Sequence, residues 1–326
     1  MEAYAVGDAY GKATEYCTRQ QVEEAYPSVC ELLPPEKSLT HEDLRHGQVT
    51  DDTEQNVYLI REYGRKKTVS SYDTAMCLLR WVEETDAATK YIGPNSLRAL
   101  NAIREGAEIA TAGTGGITCG GMMRSPAAFL FSTAENLEEN VVSCLMPTHY
   151  TSIAIEAALC YARALEAAAN GKTIPEMLEA ACLGARQGKK HGSTFRTAGV
   201  GPSCEARIRF LAGWISPKRS ETEVKEFLYD VMGATMSSCD VCSCAFGLFL
   251  YAERDVEKAI RMATEMGGDS DTIGCLAAGL CAMYAGEHHL PREMVELVEK
   301  ANQISFEQLA ETVVQARKIM YGEELE

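Results

Sequence analysis

Apolar residues return every third or fourth position along most of this chain, and few stretches alternate with period two. Over residues 72–84 the repeat runs Ala75, Met76, Leu78, Leu79, Trp81 and Val82. That spacing gathers apolar side chains on one face of a helix and leaves little room for strands. The same reading makes helices of residues 54–63, 96–111, 151–169, 175–187, 221–236, 241–252, 256–266, 272–285, 291–302 and 306–320. Asn170-Gly171 is a good stop signal, and Pro175 suits a first helical turn. The expectation is an all-α fold, a compact single-domain helical bundle of about a dozen helices over residues 1–326. Residues 184–218 are the least regular part and read as loop plus helix inside that domain. Residues 33–44 read as a surface loop, and 323–326 as a frayed end.

Charge and apolar content exclude some functions. The chain carries 31 Lys+Arg against 47 Asp+Glu, a formal net charge of -16. That balance repels phosphate backbones and anionic membrane surfaces, so neither nucleic acid nor membrane is an expected partner. No apolar run approaches the roughly 18 residues that span a bilayer. Met1-Glu2-Ala3-Tyr4 lacks the basic and apolar regions of a leader, so a cytoplasmic location is expected. The 13 cysteines are odd in number and scattered through helical patterns, as small buried thiols would be. Cys239-Asp240-Val241-Cys242-Ser243-Cys244 lacks a second ligand pair at zinc spacing and reads as core.

The chemistry concentrates at two acidic helix starts. One is Gly267-Gly268-Asp269-Ser270-Asp271-Thr272, where two glycines allow a sharp turn before oxygen-rich residues. The other is Thr50-Asp51-Asp52-Thr53-Glu54. Each alone reads as helix capping, with Asp51 as N-cap and Glu54 closing a capping box. A cap needs one oxygen, however, and each start carries two acids with flanking hydroxyls. Four converging carboxylates would repel one another unless cations lay between them. Mg²⁺ or Mn²⁺ suits an all-oxygen set better than Zn²⁺. A third element is Gly7-Asp8-Ala9-Tyr10-Gly11, followed by Glu15; seven residues apart, Asp8 and Glu15 would share a helix face. A fourth is the Gly-rich segment 112–124, whose backbone N–H groups could cradle phosphate although no Walker lysine follows. Its Arg124 reads equally as an anion contact or a buried structural arginine. Thr148-His149 precedes the alanine-rich helix, and a lone histidine is more often structural than catalytic.

Taken in order, Gly7–Glu15, Thr50-Asp51-Asp52-Thr53, Gly120-Gly121-Met122-Met123-Arg124, Thr148-His149 and Gly267–Thr272 resemble the ADP-ribosylglycohydrolases, the enzymes similar to dinitrogenase reductase-activating glycohydrolase. The match spans about residues 1–290. The resemblance implies a compact all-α fold with two Mg²⁺ or Mn²⁺ ions in a cleft. It implies metal ligands at Thr50, Asp51, Asp52, Asp269, Asp271 and Thr272. It also implies catalytic roles for Glu15 and Asp52, either of which could be the acid/base group. Substrate contacts would fall at Gly115, Gly116, Gly120, Gly121, Met122 and His149. The implied reaction is hydrolysis at C1 of the distal ribose of an ADP-ribosylated protein or small conjugate. An N-ribosyl hydrolase acting on a smaller nucleoside-like metabolite is the alternative, and a non-catalytic crystallin-like relative stands behind it. A monomer is the favoured oligomeric state. The sequence departs from the family pattern where Thr118-Cys119-Gly120 replaces the usual Gly-Asn-Gly before Met-Arg, which bears on the substrate. Ser270 stands for a common threonine, and residues 184–218 match the family poorly.

Overall fold

Three helices buried over most of their length form the centre: Ser152–Ala169, Ser238–Ala252 and Ser270–Ala285. Apolar residues cover most of their faces, and these three pack against one another. Helices with one apolar stripe wrap them, among them Asp51–Lys66, Ile174–His191, Val256–Met266 and Phe306–Tyr321. The computed structural model describes all residues except 27, 28, 30, 39, 86, 87, 192, 195, 196 and 323–326. The expected fraying of 323–326 therefore lies outside the described residues. Among the described residues there are eighteen α-helical segments and no strand, only an isolated bridge between Thr118 and Ser237. Thirteen of those segments run nine residues or more, so the excess over a dozen is short pieces. Among the described residues no helix is long and apolar enough to cross a membrane.

Three expectations change in detail. The helix expected over 96–111 stops at Arg104, where Ala107 N reaches back to Ala102 O at 2.9 Å and locks the end. The expected 221–236 helix is α-helical only over Glu221–Phe227 and widens to a π-turn over Leu228–Gly233. The thiol of Cys244 donates to Leu228 O at 3.5 Å and to Gly233 O at 3.2 Å, and so serves the wider turn. Residues 184–191, read as irregular, continue the Ile174–His191 helix; Lys189, Lys190 and His191 fill a last turn where cations suit the exposed carbonyls. Part of the supposed surface loop is buried through Leu33 and Leu44.

The first helix, Glu2–Gly11, sets the site. It lies along Ser270–Ala285 at a separation only glycine permits. A Cβ on Gly11 would collide with Ser270 O, and one on Gly7 would fall 2.8 Å from Cys275 Cα. This contact fixes Asp8, between the two glycines, beside the start of the other helix. The described cysteines are all buried free thiols. Cys160, Cys204, Cys239 and Cys242 hydrogen-bond to one another and, among the described residues, form no metal-sized cluster.

Candidate active site

The N-cap of the Asp51–Lys66 helix is Thr50, not Asp51. The fully buried Asp8 carboxylate accepts from Thr50 N at 2.9 Å, Thr50 Oγ1 at 2.9 Å and Thr53 N at 3.0 Å. Glu54 takes no part in a capping box; it accepts from Trp81 Nε1 at 2.9 Å. The capping expectation is therefore corrected. A carboxylate from another helix satisfies the free N–H groups, which releases Asp51 and Asp52 from that duty.

At the second start Gly267 takes a φ of 71° and Gly268 a φ of 70°, the turn the glycine pair was expected to make. Asp269 occupies the cap position, but its side chain makes no cap bond. Ser270 Oγ donates to Gly11 O at 2.8 Å and accepts from Thr14 Oγ1 at 3.0 Å, so it ties this helix to the first one.

The two starts meet. Thr50 Oγ1 lies 3.3 Å from Asp271 Oδ2, and Thr272 Oγ1 donates to Asp52 Oδ2 at 3.3 Å. Carboxylate oxygens of Glu15, Asp269 and Asp271 all lie within 4.8 Å of one another. Glu15 arrives by a different route from the one its spacing suggested. The first helix ends at Gly11, a 3₁₀ turn covers Lys12–Thr14, and Glu15 is extended at φ -57° and ψ 140°. It shares no helix face with Asp8. His41 Nε2 hydrogen-bonds Glu15 Oε2, and Thr40 Oγ1 donates to the Glu15 carbonyl at 2.9 Å. Asp51, Asp52, Asp269, Asp271, Thr272 and Glu15 line one cleft. Tyr16, Tyr91, Cys119 and Met123 form part of its walls.

Burial pushes Glu15, Asp51, Asp52 and Asp269 well above the usual carboxylate range, and the charge of Asp271 adds to each. Asp271 itself is raised to about 6, by burial and then by Asp8. Among the described residues no lysine or arginine pairs with Asp51, Asp52, Asp269 or Asp271. Buried Lys12 donates to the carbonyls of Arg45 and Gln48, and burial lowers it to about 8. The donor set is thus rich in oxygen, negative and uncompensated, which fits hard divalent cations.

The Gly-rich segment is packed more tightly than a phosphate cradle needs. A Cβ on Gly116 would collide with Thr148 O, and on Gly120 or Gly121 it would lie 2.8 Å from His149 atoms. His149 is buried between Thr118 Oγ1 at 2.9 Å and Thr148 Oγ1 at 2.8 Å; burial lowers its pKa far enough to keep it neutral. Arg124 is fully buried and donates to Gly120 O at 2.5 Å, Thr148 Oγ1 at 2.6 Å and Cys144 O at 3.2 Å. It is a structural arginine. Of the expected substrate contacts, Gly120 lines the cleft. Gly115, Gly116, Gly121, Met122 and His149 do not; Met122 points into the core, and Met123 takes the wall position. Cys119 Sγ donates to Asp269 Oδ2 at 3.1 Å, and burial raises the thiol pKa well above its ordinary value.

The sequence had singled out Asp8 without its capping role. It gave no sign of His41, which comes from a loop, or of Tyr91. Tyr16 adjoins Glu15, and its one signal exists only in three dimensions: a φ of 61° in a non-glycine residue.

The chain is 27% identical to the uncharacterized protein YegU of Escherichia coli K12 over 320 residues, covering 96% of this chain and 95% of the relative. It is 29% identical to an uncharacterized protein of Archaeoglobus fulgidus over 278 residues, covering 85% of this chain and 83% of the relative. A solved structure described as an ADP-ribosylglycohydrolase-related protein complex shares the fold at a TM-score of 0.71 and 21% identity, covering 98% of this chain and 95% of that one. The family model for ADP-ribosylglycohydrolase matches residues 3–322, nearly the whole chain; with that, the protein belongs to the ADP-ribosylglycohydrolase family and is a glycosidase by class.

Proposed function

We propose that the chain hydrolyses the bond from C1 of the distal ribose to a protein side chain or small acceptor, releasing ADP-ribose. The observation that carries this reading is the convergence of two acidic helix starts and Glu15 in one cleft, with no lysine or arginine among the described residues paired to Asp51, Asp52, Asp269 or Asp271. Thr50, Asp51, Asp52, Asp269, Asp271 and Thr272 would hold two Mg²⁺ or Mn²⁺ ions. When bound, those ions would orient ribose hydroxyls and polarise water.

The chain's own groups do the rest. Breaking a ribosyl bond leaves positive charge on the sugar ring, which the surrounding carboxylates stabilise. The departing group needs a proton. Glu15 is suited to supply it: one of its oxygens is held by His41, and burial, then the charge of Asp271, raises its pKa well above the ordinary carboxylate range. Asp52 has both oxygens engaged, Oδ2 by Thr272 and Oδ1 by the Cys275 thiol at 3.3 Å. We therefore assign Asp52 to holding the ions and Glu15 to moving the proton.

One observation favours a second reading. Gly116 and Gly121 pack against Thr148 and His149 and do not line the cleft, which of these glycines only Gly120 reaches, so little of the segment is open to a diphosphate. An N-ribosyl hydrolase acting on a smaller nucleoside-like metabolite would not need one. A panel of ADP-ribosyl-arginine, ADP-ribosyl-serine, O-acetyl-ADP-ribose and free nucleosides, each with Mg²⁺, Mn²⁺ or EDTA, separates the two. The first reading expects metal-dependent release of ADP-ribose. Release of base from nucleosides with no action on any ADP-ribosyl conjugate would replace it with the second.

A further inference from the structure

A diphosphate bound in this cleft needs donors of its own, and the Gly-rich segment presents few. The helix packed beside that segment, Pro94–Arg104, presents several. It starts at the cleft wall: its N-cap Gly93 and its first-turn Ser96 both line the cleft. Gly93 contributes no side-chain cap. The hydrogen-bond ladder opens with Leu97 N donating to Gly93 O at 3.1 Å, so the N–H groups of Asn95 and Ser96 precede it and have no partner in the helix. Such N–H groups, at the positive end of a helix dipole, suit an anion.

Two side chains point to a ligand there. Ser96 is 4% exposed, yet among the described residues its hydroxyl has no hydrogen-bond partner. A buried hydroxyl left in that state costs free energy until something brought into the cleft supplies an acceptor. A Cβ on Gly120 would stand 3.5 Å from Ser96 Oγ, so this hydroxyl borders the glycine of the segment that reaches the cleft. Arg98 lies at the segment's other end, where a Cβ on Gly115 would strike its guanidinium. It is exposed and, among the described residues, has no ion pair. Lys12 and Arg124, by contrast, are buried on backbone carbonyls.

Gly93 is a glycine without a local need for one. Its φ of -60° and ψ of 141° suit any residue, and a Cβ there would meet nothing within 4 Å. The missing side chain keeps the helix start open.

Resting on the reading of this cleft as the site of ADP-ribosyl hydrolysis, we propose that the start of Pro94–Arg104 holds the substrate's diphosphate. The Asn95 and Ser96 N–H groups and the Ser96 hydroxyl donate to its oxygens, and Arg98 meets its charge from the Gly115 end. The phosphates are then held by a helix beside the Gly-rich segment, and the segment itself need not open.

ADP-ribose is titrated into the full chain with Mg²⁺ or Mn²⁺, using wild type, Arg98→Ala, Ser96→Ala and Gly93→Asp. Adenosine and ribose 5-phosphate are the comparison ligands, and circular dichroism follows melting. Arg98→Ala and Ser96→Ala should each weaken ADP-ribose by about 10-fold, the loss of one hydrogen bond to a charged group. Gly93→Asp sets a carboxylate on the same N–H groups. It should weaken ADP-ribose by about 10-fold or more while the melting temperature holds or rises, since aspartate is a strong N-cap. A merely structural helix start would gain stability and lose no affinity. Adenosine should bind every variant as it binds the wild type. ADP-ribose bound equally by the wild type and all the variants overturns the subsite and leaves the hydrolase reading standing. Ribose 5-phosphate bound as tightly as ADP-ribose, with the same losses in the variants, overturns the diphosphate in favour of a single phosphate. No binding of ADP-ribose by the wild type with either ion overturns the hydrolase reading and the subsite together.

Discussion

Two buried polar clusters lie within one wall of each other, and they are built on opposite rules. Around Arg124 the donors have acceptors: Gly120 O, Cys144 O and Thr148 Oγ1 take the guanidinium, and His149 is held between two threonines. Around Asp271 acids crowd together, and among the described residues no basic side chain pairs with its neighbours Asp51, Asp52 and Asp269. A saturated cluster holds the chain in shape. A cluster of like charges makes sense only through something it binds. By sequence Arg124 reads equally as an anion contact or a structural arginine; the satisfaction of its hydrogen bonds decides for the second.

That contrast can be broken from either side. Asp271→Asn should lower turnover of an ADP-ribosyl conjugate by about 10³-fold or more while the protein still folds, because it removes a charge the fold does not need. Turnover within a few-fold of wild type would remove Asp271 from the chemistry. Arg124→Met should do the reverse, costing about 3 kcal/mol or more in urea denaturation, since three buried acceptors lose their donor. A loss below about 1 kcal/mol would mean that the knot is not structural.

The third prediction sharpens the comparison through pH. The folded pKa of Asp271 is raised to about 6 from an ordinary 3.8, so folding favours its protonated form. Its contribution to stability is therefore complete below about pH 4 and is lost as pH rises through about 6. In EDTA the melting temperature should fall across that window, with Asp271 alone accounting for a loss on the order of 3 kcal/mol. Mn²⁺ should restore the loss most at the higher pH. A melting temperature indifferent to both pH and Mn²⁺ would show that the acids are already compensated.

Much of the frame was legible because helical periodicity and glycine turns are local. Residues 256–266 form the expected helix end to end, and Gly267-Gly268 make the expected turn. Paired acids at two helix starts pointed to the site because their number exceeded what capping needs. What escaped depends on partners distant in sequence. Thr50 rather than Asp51 is the cap because Asp8 comes in from 42 residues away. His41 reaches Glu15 through tertiary placement of a loop. Met122 and Met123 cannot be ranked by sequence, since only the turn they sit in decides which one faces the cleft.

The cap supplied by Asp8 has a consequence for how such a protein can change over time. Because another helix holds the start of Asp51–Lys66, and Ser270 moors its counterpart, where Asp271 Oδ1 accepts from Thr272 N at 2.9 Å, Asp51 and Asp269 supply no cap bond. Replacing one of them alters what the cleft binds without unravelling either helix. The same frame can therefore be retuned to new metals or acceptors one residue at a time, with folding left intact at each step.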